Sequence, residues 1–345
     1  MPTYSFSFRV LTTGLVFSAL FVGCSTSSEI VDSGPQKSDS ILSEYQTGDI
    51  RTINIPGTEV TFSLVYVESG SFLMGSPEAE DGRSPDEGPQ RETRLDGYWI
   101  SQYEVSDDAF SVFRYPDRDA DTTAVVGTTY DVDAVSRPSP PYEDPAFGMG
   151  GKGKPAVGMT QWGALHYAKW LTQKTGVFFR LPTEAEWENA CRADSETAYS
   201  FGSDGAQMDD YGWFEENSQY ELQRIGQNLP NGWGLYDMHG NASEWTMDEY
   251  IATYFQDSAS QNPWVEPSRL HPRTVRGGAY DDPAIEARCA NRLESTLNWK
   301  RRDPQIPKSF WWNTDAPFLG FRLVAPEAGM SADDQLFFWT MVLGE

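Results

Sequence analysis

The chain has 345 residues, is 39% hydrophobic, and carries 26 Lys and Arg against 51 Asp and Glu, for a net charge of −25. Such a surface repels a phosphate backbone and excludes nucleic acid as a partner. The 12 Trp, 16 Tyr and 19 Phe can fill a sizeable core, and 30 Gly with 22 Pro point to a fold built more from turns and short strands than from helices.

At the N-terminus Arg9 precedes an apolar run, Val10 to Gly23, that is too short to span a bilayer and reads as the core of a signal peptide over 1–23. The run ends in Phe21-Val22-Gly23-Cys24. This resembles the lipobox of bacterial lipoproteins, with Phe in place of the usual Leu. The resemblance implies cleavage before Cys24 and lipid attachment there, which holds a protein at a membrane without spanning it. The expected location is therefore outside the cytoplasm, in the cell envelope. There the two other cysteines, Cys191 and Cys289, meet oxidising conditions and are most simply a pair.

Residues 25–50 are rich in Ser, Asp and Glu without apolar period and read as a flexible tether. From residue 51 the pattern alternates. Residues 61–76 read as two strands separated by Glu68-Ser69-Gly70-Ser71, and 95–106 as a third with Tyr98, Ile100 and Tyr103 near its centre. Residues 114–154, dense in Asp, Pro and Gly, read as a long surface insertion. Asp117, Asp119 and Asp121 alternate there, but the Gly and terminal Glu of an EF-hand loop are missing, so no calcium loop is expected.

A helix follows, with Thr160 as N-cap, Ala164, Leu165, Ala168 and Leu171 at helical spacing, and Gly176 as the stop. A second short helix starts at Thr183, where Glu186 completes a capping box. Residues 195–326 read as turns and short strands. The tail, 327–345, has an apolar cluster from Leu336 to Leu343, too short to cross a membrane and expected to pack on the core as strand or helix.

Seven segments in order resemble the formylglycine-generating enzyme family, or sulfatase-modifying factor domain. They are FLMGS (72–76), YEVS (103–106), PAVGMTQWGALHYAKWL (155–171), RLPTEAEWENACR (180–192), NGWGLYDMHGNASEWT (231–246), RGGAY (276–280) and GFRLV (320–324). The resemblance covers about residues 55–326 and implies one domain over 51–326. The implied fold is an irregular α+β one, related to the C-type lectin fold. The family's founding chemistry is oxidation of a substrate cysteine to formylglycine, with copper held by two cysteines shortly after RGGAY. Here those places carry Asp282 and about Glu286, and carboxylates are poor ligands for Cu(I), so copper is not expected. Family members that join sulfur to carbon with iron use an H-x3-H-x-E motif. His166, His239 and His271 do not form one.

Cys289 matches a different family cysteine, which in some members is disulfide-bonded to the one matched by Cys191. The resemblance thus implies the same pair as the cysteine count. It also implies a calcium site in GLYDMHGNASEW: Asp237 by its side chain, His239, Gly240 and Ala242 by their carbonyls, and Glu244 by its carboxylate. A second calcium site near 209–218 stays open, because the expected Asn around Asp210 is replaced. His239 as a base or transition-metal ligand is the weaker reading, since no second His or Cys is close in sequence. The sequon at Asn241 reads as accidental, and Arg276, Arg292 and Arg322 as structural ion-pair formers.

The expectation is a lipid-anchored envelope protein, a non-catalytic binding or scaffolding module stabilised by calcium. Its partner would be an envelope protein or peptide, met through the 114–154 insertion or the aromatic-rich 298–317 segment, where Trp299, Trp311 and Trp312 are candidate anchors. The alternatives are an oxidoreductase acting on sulfatase cysteines, or another metal-dependent enzyme that uses Asp281, Asp282 and Glu286 in the same cleft.

Overall fold

The computed structural model describes residues 44–120, 137–257 and 260–344. The expected signal peptide, the lipidation site Cys24, most of the tether and Asp121 lie outside them. In chain order the elements are β1 (Ile50–Asn54), β2 (Thr61–Val67), β3 (Gly70–Met74), β4 (Arg91–Leu95), β5 (Tyr98–Ser101), α1 (Asp107–Arg114), α2 (Gln161–Thr175), α3 (Glu184–Arg192), α4 (Met208–Tyr211), β6 (Gly212–Trp213), β7 (His239–Gly240), β8 (Ser243–Glu249), α5 (Tyr254–Asp257), β9 (Arg273–Arg276), β10 (Leu293–Glu294), β11 (Leu319–Gly320), β12 (Val324–Pro326) and α6 (Ala332–Leu343). The class is α+β with irregular sheets and long turn-rich connections.

One four-stranded antiparallel sheet runs β1-β2-β5-β12. Because successive side chains on a strand point to opposite faces, β2 divides its apolar residues between two cores. Val65 and Val67 join Ile100, Val324 and Trp187 on one side, while Leu64 and Tyr66 join Trp99 and Phe179 on the other. The strand expected at 95–106 is shorter. Tyr103 lies beyond β5 and stacks on Tyr236 with ring centroids 4.9 Å apart. Gly70 and Ser71, expected in the connection after β2, instead open β3 and pair with Leu95 and Arg94 of β4. Sequence reasoning missed β4 because RETRL carries a single large apolar side chain.

The tether also ends sooner than expected. Tyr45 packs edge-on against Trp99 with centroids 4.9 Å apart, and the Gly48 N–H donates to the Tyr66 carbonyl. The described part of the insertion is likewise packed. Arg114 ends α1, Asp119 pairs with Lys174 at 2.9 Å, and Pro138, Pro145 and Ala146 are buried.

Both expected helices form where their caps are. Thr160 Oγ1 accepts from the Gly163 N–H, and Gly176 closes α2 at φ 72°, the left-handed conformation that glycine tolerates best. At α3, Thr183 and Glu186 make the reciprocal capping box, and Arg180 clamps the same glutamate at 2.6 and 2.7 Å. The tail forms α6, capped by Ser331. Phe338 and Trp339 pack on Phe178, and Leu336 and Phe337 stay exposed. Among the described residues no helix is long and apolar enough to cross a membrane.

The second sheet, β10-β9-β8-β11, positions the site. Its central strand β8 is buried along its whole length, antiparallel to β9 and parallel to β11. That register sets Glu244 beside Arg276 and Gly320. Helix α3 lies against β8 and β9, and the disulfide ties its last turn to the 276–292 segment.

Candidate functional site

The loop between Asn231 and β8 turns through left-handed residues: Asp237 at φ 54°, Gly240 at 98° and Asn241 at 61°. Gly240 is needed on two counts, since a Cβ there would also sit 2.0 Å from the Trp213 carbonyl oxygen. These turns drive Asp237, Asn241 and Glu244 inward, where each is at most 2% exposed. Glu104, from the YEVS segment just beyond β5, meets them from the other side and is 3% exposed. Its Oε1 accepts from Asn241 Nδ2 at 3.0 Å and from the Ala242 N–H at 3.3 Å. Asn241 is fully buried with its amide spent on Glu104, so it cannot accept a glycan.

Three carboxylates thus face one guanidinium. Arg322 holds both oxygens of Glu244 at 2.7 Å, and Trp187 Nε1 donates to Oε2 at 2.7 Å. Asp237 Oδ2 accepts from the Gly226 N–H at 2.6 Å; Asp237 Oδ1 and Glu104 Oε2 meet no N–H or hydroxyl donor, but the two carboxyl groups are within hydrogen-bond reach of each other, so that a proton on one can bridge them. Burial, followed by the charges of Asp237 and Glu244, pushes the Glu104 carboxyl well above the usual range. Burial pushes Asp237 up to about 6, against the Gly226 hydrogen bond and Arg322. Two buried carboxyl groups without an outside donor are a costly arrangement when both are charged, and either a proton shared between them or a hard cation with an affinity for oxygen would relieve it.

For the calcium expected here, Asp237 and Glu104 offer the carboxylate oxygens not already engaged by N–H donors. Glu244 was expected to close the shell, yet Oε2 already accepts twice and Oε1 once. The free oxygens belong to Asp237 and Glu104. The His239 carbonyl is also turned away, because β7 pairs in parallel with β6 and this oxygen rests on the Gly212 backbone, where a Cβ would come within 1.8 Å. Glu104 went unassigned in the sequence. The only signal was an acid between two apolar segments, in a motif quoted for its resemblance alone. A cavity of about 260 Å³, lined by Ser101, Tyr103, Glu104, Tyr167, Ile225 and Leu323 among others, adjoins it.

His239 is no general base. Its Nδ1–H donates to the Ala287 carbonyl at 2.8 Å, its Nε2 accepts from Ser200 Oγ at 2.9 Å, and burial lowers its pKa to about 4. The ring lies beside the Cys191–Cys289 disulfide, which has an S–S distance of 2.02 Å and a Cα–Cα distance of 5.6 Å. Cys191, Cys289 and His239 are close enough to share a metal, but the sulfurs are bonded to each other and both ring nitrogens are engaged. Closing a loop of 98 residues confers about 4–5 kcal/mol in chain-entropy terms.

The ionisable side chains of the 281–286 segment are all carboxylates. Asp282 Oδ2 accepts from the Ala279 N–H at 3.0 Å, and burial, then the Asp281 charge, pushes its pKa up to about 6. Glu286 is exposed and bonded to Asn291 Nδ2 at 2.9 Å. Behind them every arginine is paired: Arg276 with Glu184 and Glu188, Arg292 with Glu184, and Arg288 with Glu80 and Glu87. Trp311 and Trp312 are buried in the core and so are not surface anchors, while Trp299 is half-buried and packs edge-on against Trp245. At the open second calcium site, Asp209 binds Asn217 Nδ2 at 3.3 Å and Asp210 is exposed.

Comparison with known proteins places this geometry. The profile described as "Sulfatase-modifying factor enzyme 1-like domain" matches residues 56–325. A "Serine/threonine-protein kinase pkn1" of Chlamydia caviae is 28% identical over 236 residues, which is 66% of this chain but only 35% of the kinase. The chain thus spans about a third of that relative's length. A "Formylglycine-generating enzyme" of Thermomonospora curvata is 26% identical over 262 residues, covering 64% of this chain and 84% of the enzyme. Among solved structures, PvdO from Pseudomonas aeruginosa superposes with a TM-score of 0.62 at 26% identity, over 82% of this chain and 99% of PvdO.

Proposed function

This chain belongs to the sulfatase-modifying factor enzyme 1-like domain family, and on that premise we propose that it is a lipid-anchored envelope protein whose domain binds or scaffolds and does not oxidise cysteine. One observation carries the reading. Both cysteines of residues 44–345 are consumed by the Cys191–Cys289 disulfide. Among the described residues no thiolate is left for copper, and the places where the resemblance puts the copper cysteines hold Asp282 and about Glu286. The names of the kinase and the formylglycine-generating enzymes describe those proteins.

Calcium held by Asp237 and Glu104, with the Gly240 and Ala242 carbonyls, would neutralise two buried carboxylates and lock the 226–244 loop to the first sheet. Its role is structural. Lipid on Cys24 would set the domain at a membrane surface, facing an envelope protein or peptide.

Copper content measured together with a cysteine-peptide oxidation assay tests the proposal. The expected result is neither bound copper nor turnover. Copper-dependent turnover would restore the oxidoreductase acting on sulfatase cysteines. A metal-dependent enzyme working through the 281–286 carboxylates is favoured by the raised pKa of Asp282 alone. For the anchor, Cys24→Ala is expected to move the protein from the membrane to the soluble fraction.

A further inference from the structure

The N-terminal end of α2, the 267–273 segment and the last turn of α6 enclose a cavity of about 380 Å³, a size suited to a small ligand. Its lining is unusual for a chain of net charge −25. Arg269, His271, Arg273 and Lys300 contribute to it, and no carboxylate does. Trp162, Trp245 and Phe310 supply aromatic walls, and Met341, Val342 and Leu343 of α6 an apolar rim.

The cations differ in how they are engaged. Arg269 is held by Glu249 at 2.9 Å. Lys300, 7% exposed, donates to the Ser309 carbonyl at 2.7 Å and keeps two further N–H groups. Ser295 Oγ accepts from the Arg273 N–H at 2.7 Å and shares a hydrogen bond of 2.7 Å with His271 Nδ1. Arg273 Nε and Nη1 are buried and have no hydrogen-bond partner among the described residues. The facing charges are Glu249, paired across the strand from Arg273, and Asp303 and Lys308 near Lys300. Asn313 Oδ1, on the same lining, is an acceptor without a donor.

We propose that this cavity binds a small organic carboxylate with an apolar or aromatic body, its anion on Arg273 and Lys300 and its ring between Trp162, Trp245 and Phe310. A hydrogen-bond donor on the ring would meet Asn313. The anion would pair a guanidinium that burial otherwise leaves without a partner. Burial lowers Arg273 to about 10 against the charge of Glu249, burial and then Lys308 lower Lys300 to about 8 against Asp303, and burial followed by the charges of Lys300 and Arg273 lowers His271 to about 4; a bound anion offsets the cost of burying these cations.

The test is titration of the full chain with indole-3-acetate, followed by calorimetry and by thermal melting, with indole-3-acetamide as the uncharged twin. The carboxylate is expected to bind saturably and to raise the melting temperature, and the amide to bind at least about ten-fold more weakly, as loss of a charge-assisted hydrogen bond requires. Arg273→Met is expected to abolish the difference between acid and amide. It should not destabilise the ligand-free domain, because the nitrogens it removes have no partner. Equal affinity for acid and amide, unchanged binding in Arg273→Met, or no saturable binding at millimolar concentration overturns the proposal. The acid–amide comparison on the unmodified chain needs no variant to fold. Calcium is not expected to alter this binding, so its outcome is independent of the calcium site.

Discussion

Two buried charged clusters flank Trp187, and they are built on opposite principles. On one side Glu184 and Glu188 are matched by Arg192, Arg276 and Arg292, at N–O distances from 2.5 to 3.0 Å. On the other, Glu104, Asp237 and Glu244 share Arg322 alone, and two carboxylate oxygens lack a donor. With Asp86 3.5 Å from Arg292 as the third carboxylate, the first is an internally neutralised staple between α3, β9 and the chain around Arg292. The second leaves two oxygens that a proton shared between Glu104 and Asp237, or a cation from outside, would fill. A buried ion network that closes on itself argues for architecture, and one that leaves oxygens unpaired argues for a ligand.

The comparison breaks most visibly on the paired side. Arg276→Met leaves Glu184 and Glu188 partly uncompensated at 0% exposure and is expected to cost about 3–5 kcal/mol in chemical denaturation. Replacing Cys191 and Cys289 together by serine opens the staple between the same segments, with an expected loss of about 2–5 kcal/mol and no gain of any metal-dependent oxidation.

On the unpaired side the expected signature depends on pH. With its folded pKa raised from 3.8 to about 6, Asp237 stabilises the calcium-free domain most at low pH, and this contribution is lost as pH rises through 6. Calcium affinity runs the other way, falling by up to about ten-fold per unit below pH 6 as the proton competes for the carboxylate. Calorimetry at a series of pH values reads both trends, and Asp237→Asn should remove them. The smallest effect is local: Thr183→Ala, at the start of α3, should cost about 1 kcal/mol by loss of the cap, as read in denaturant midpoints.

What could be read from residues alone follows the range of the interactions. The caps at Thr160 and Thr183, the stop at Gly176 and the capping box with Glu186 act within a few residues and stand where the sequence puts them. The pairing of Cys191 with Cys289 followed from the cysteine count and from the family resemblance, and the structure contains the bond. Long-range assembly was less legible. Glu104 joins Asp237 across 133 positions of sequence, and no local pattern marks that meeting. Strand β4 forms because β3 offers it an edge, although RETRL has little apolar alternation of its own. The cavity beside Arg273 depends on the end of α6 folding back over α2, which a tail sequence does not disclose.

Calcium titration of the full chain by calorimetry, beside Glu104→Gln and Asp237→Asn, tests the central claim most directly. The account predicts saturable binding that stabilises the domain, by about 2.7 kcal/mol at a hundred-fold excess over the dissociation constant, and its loss in both variants. Absence of binding, or undiminished binding in Glu104→Gln, would contradict it.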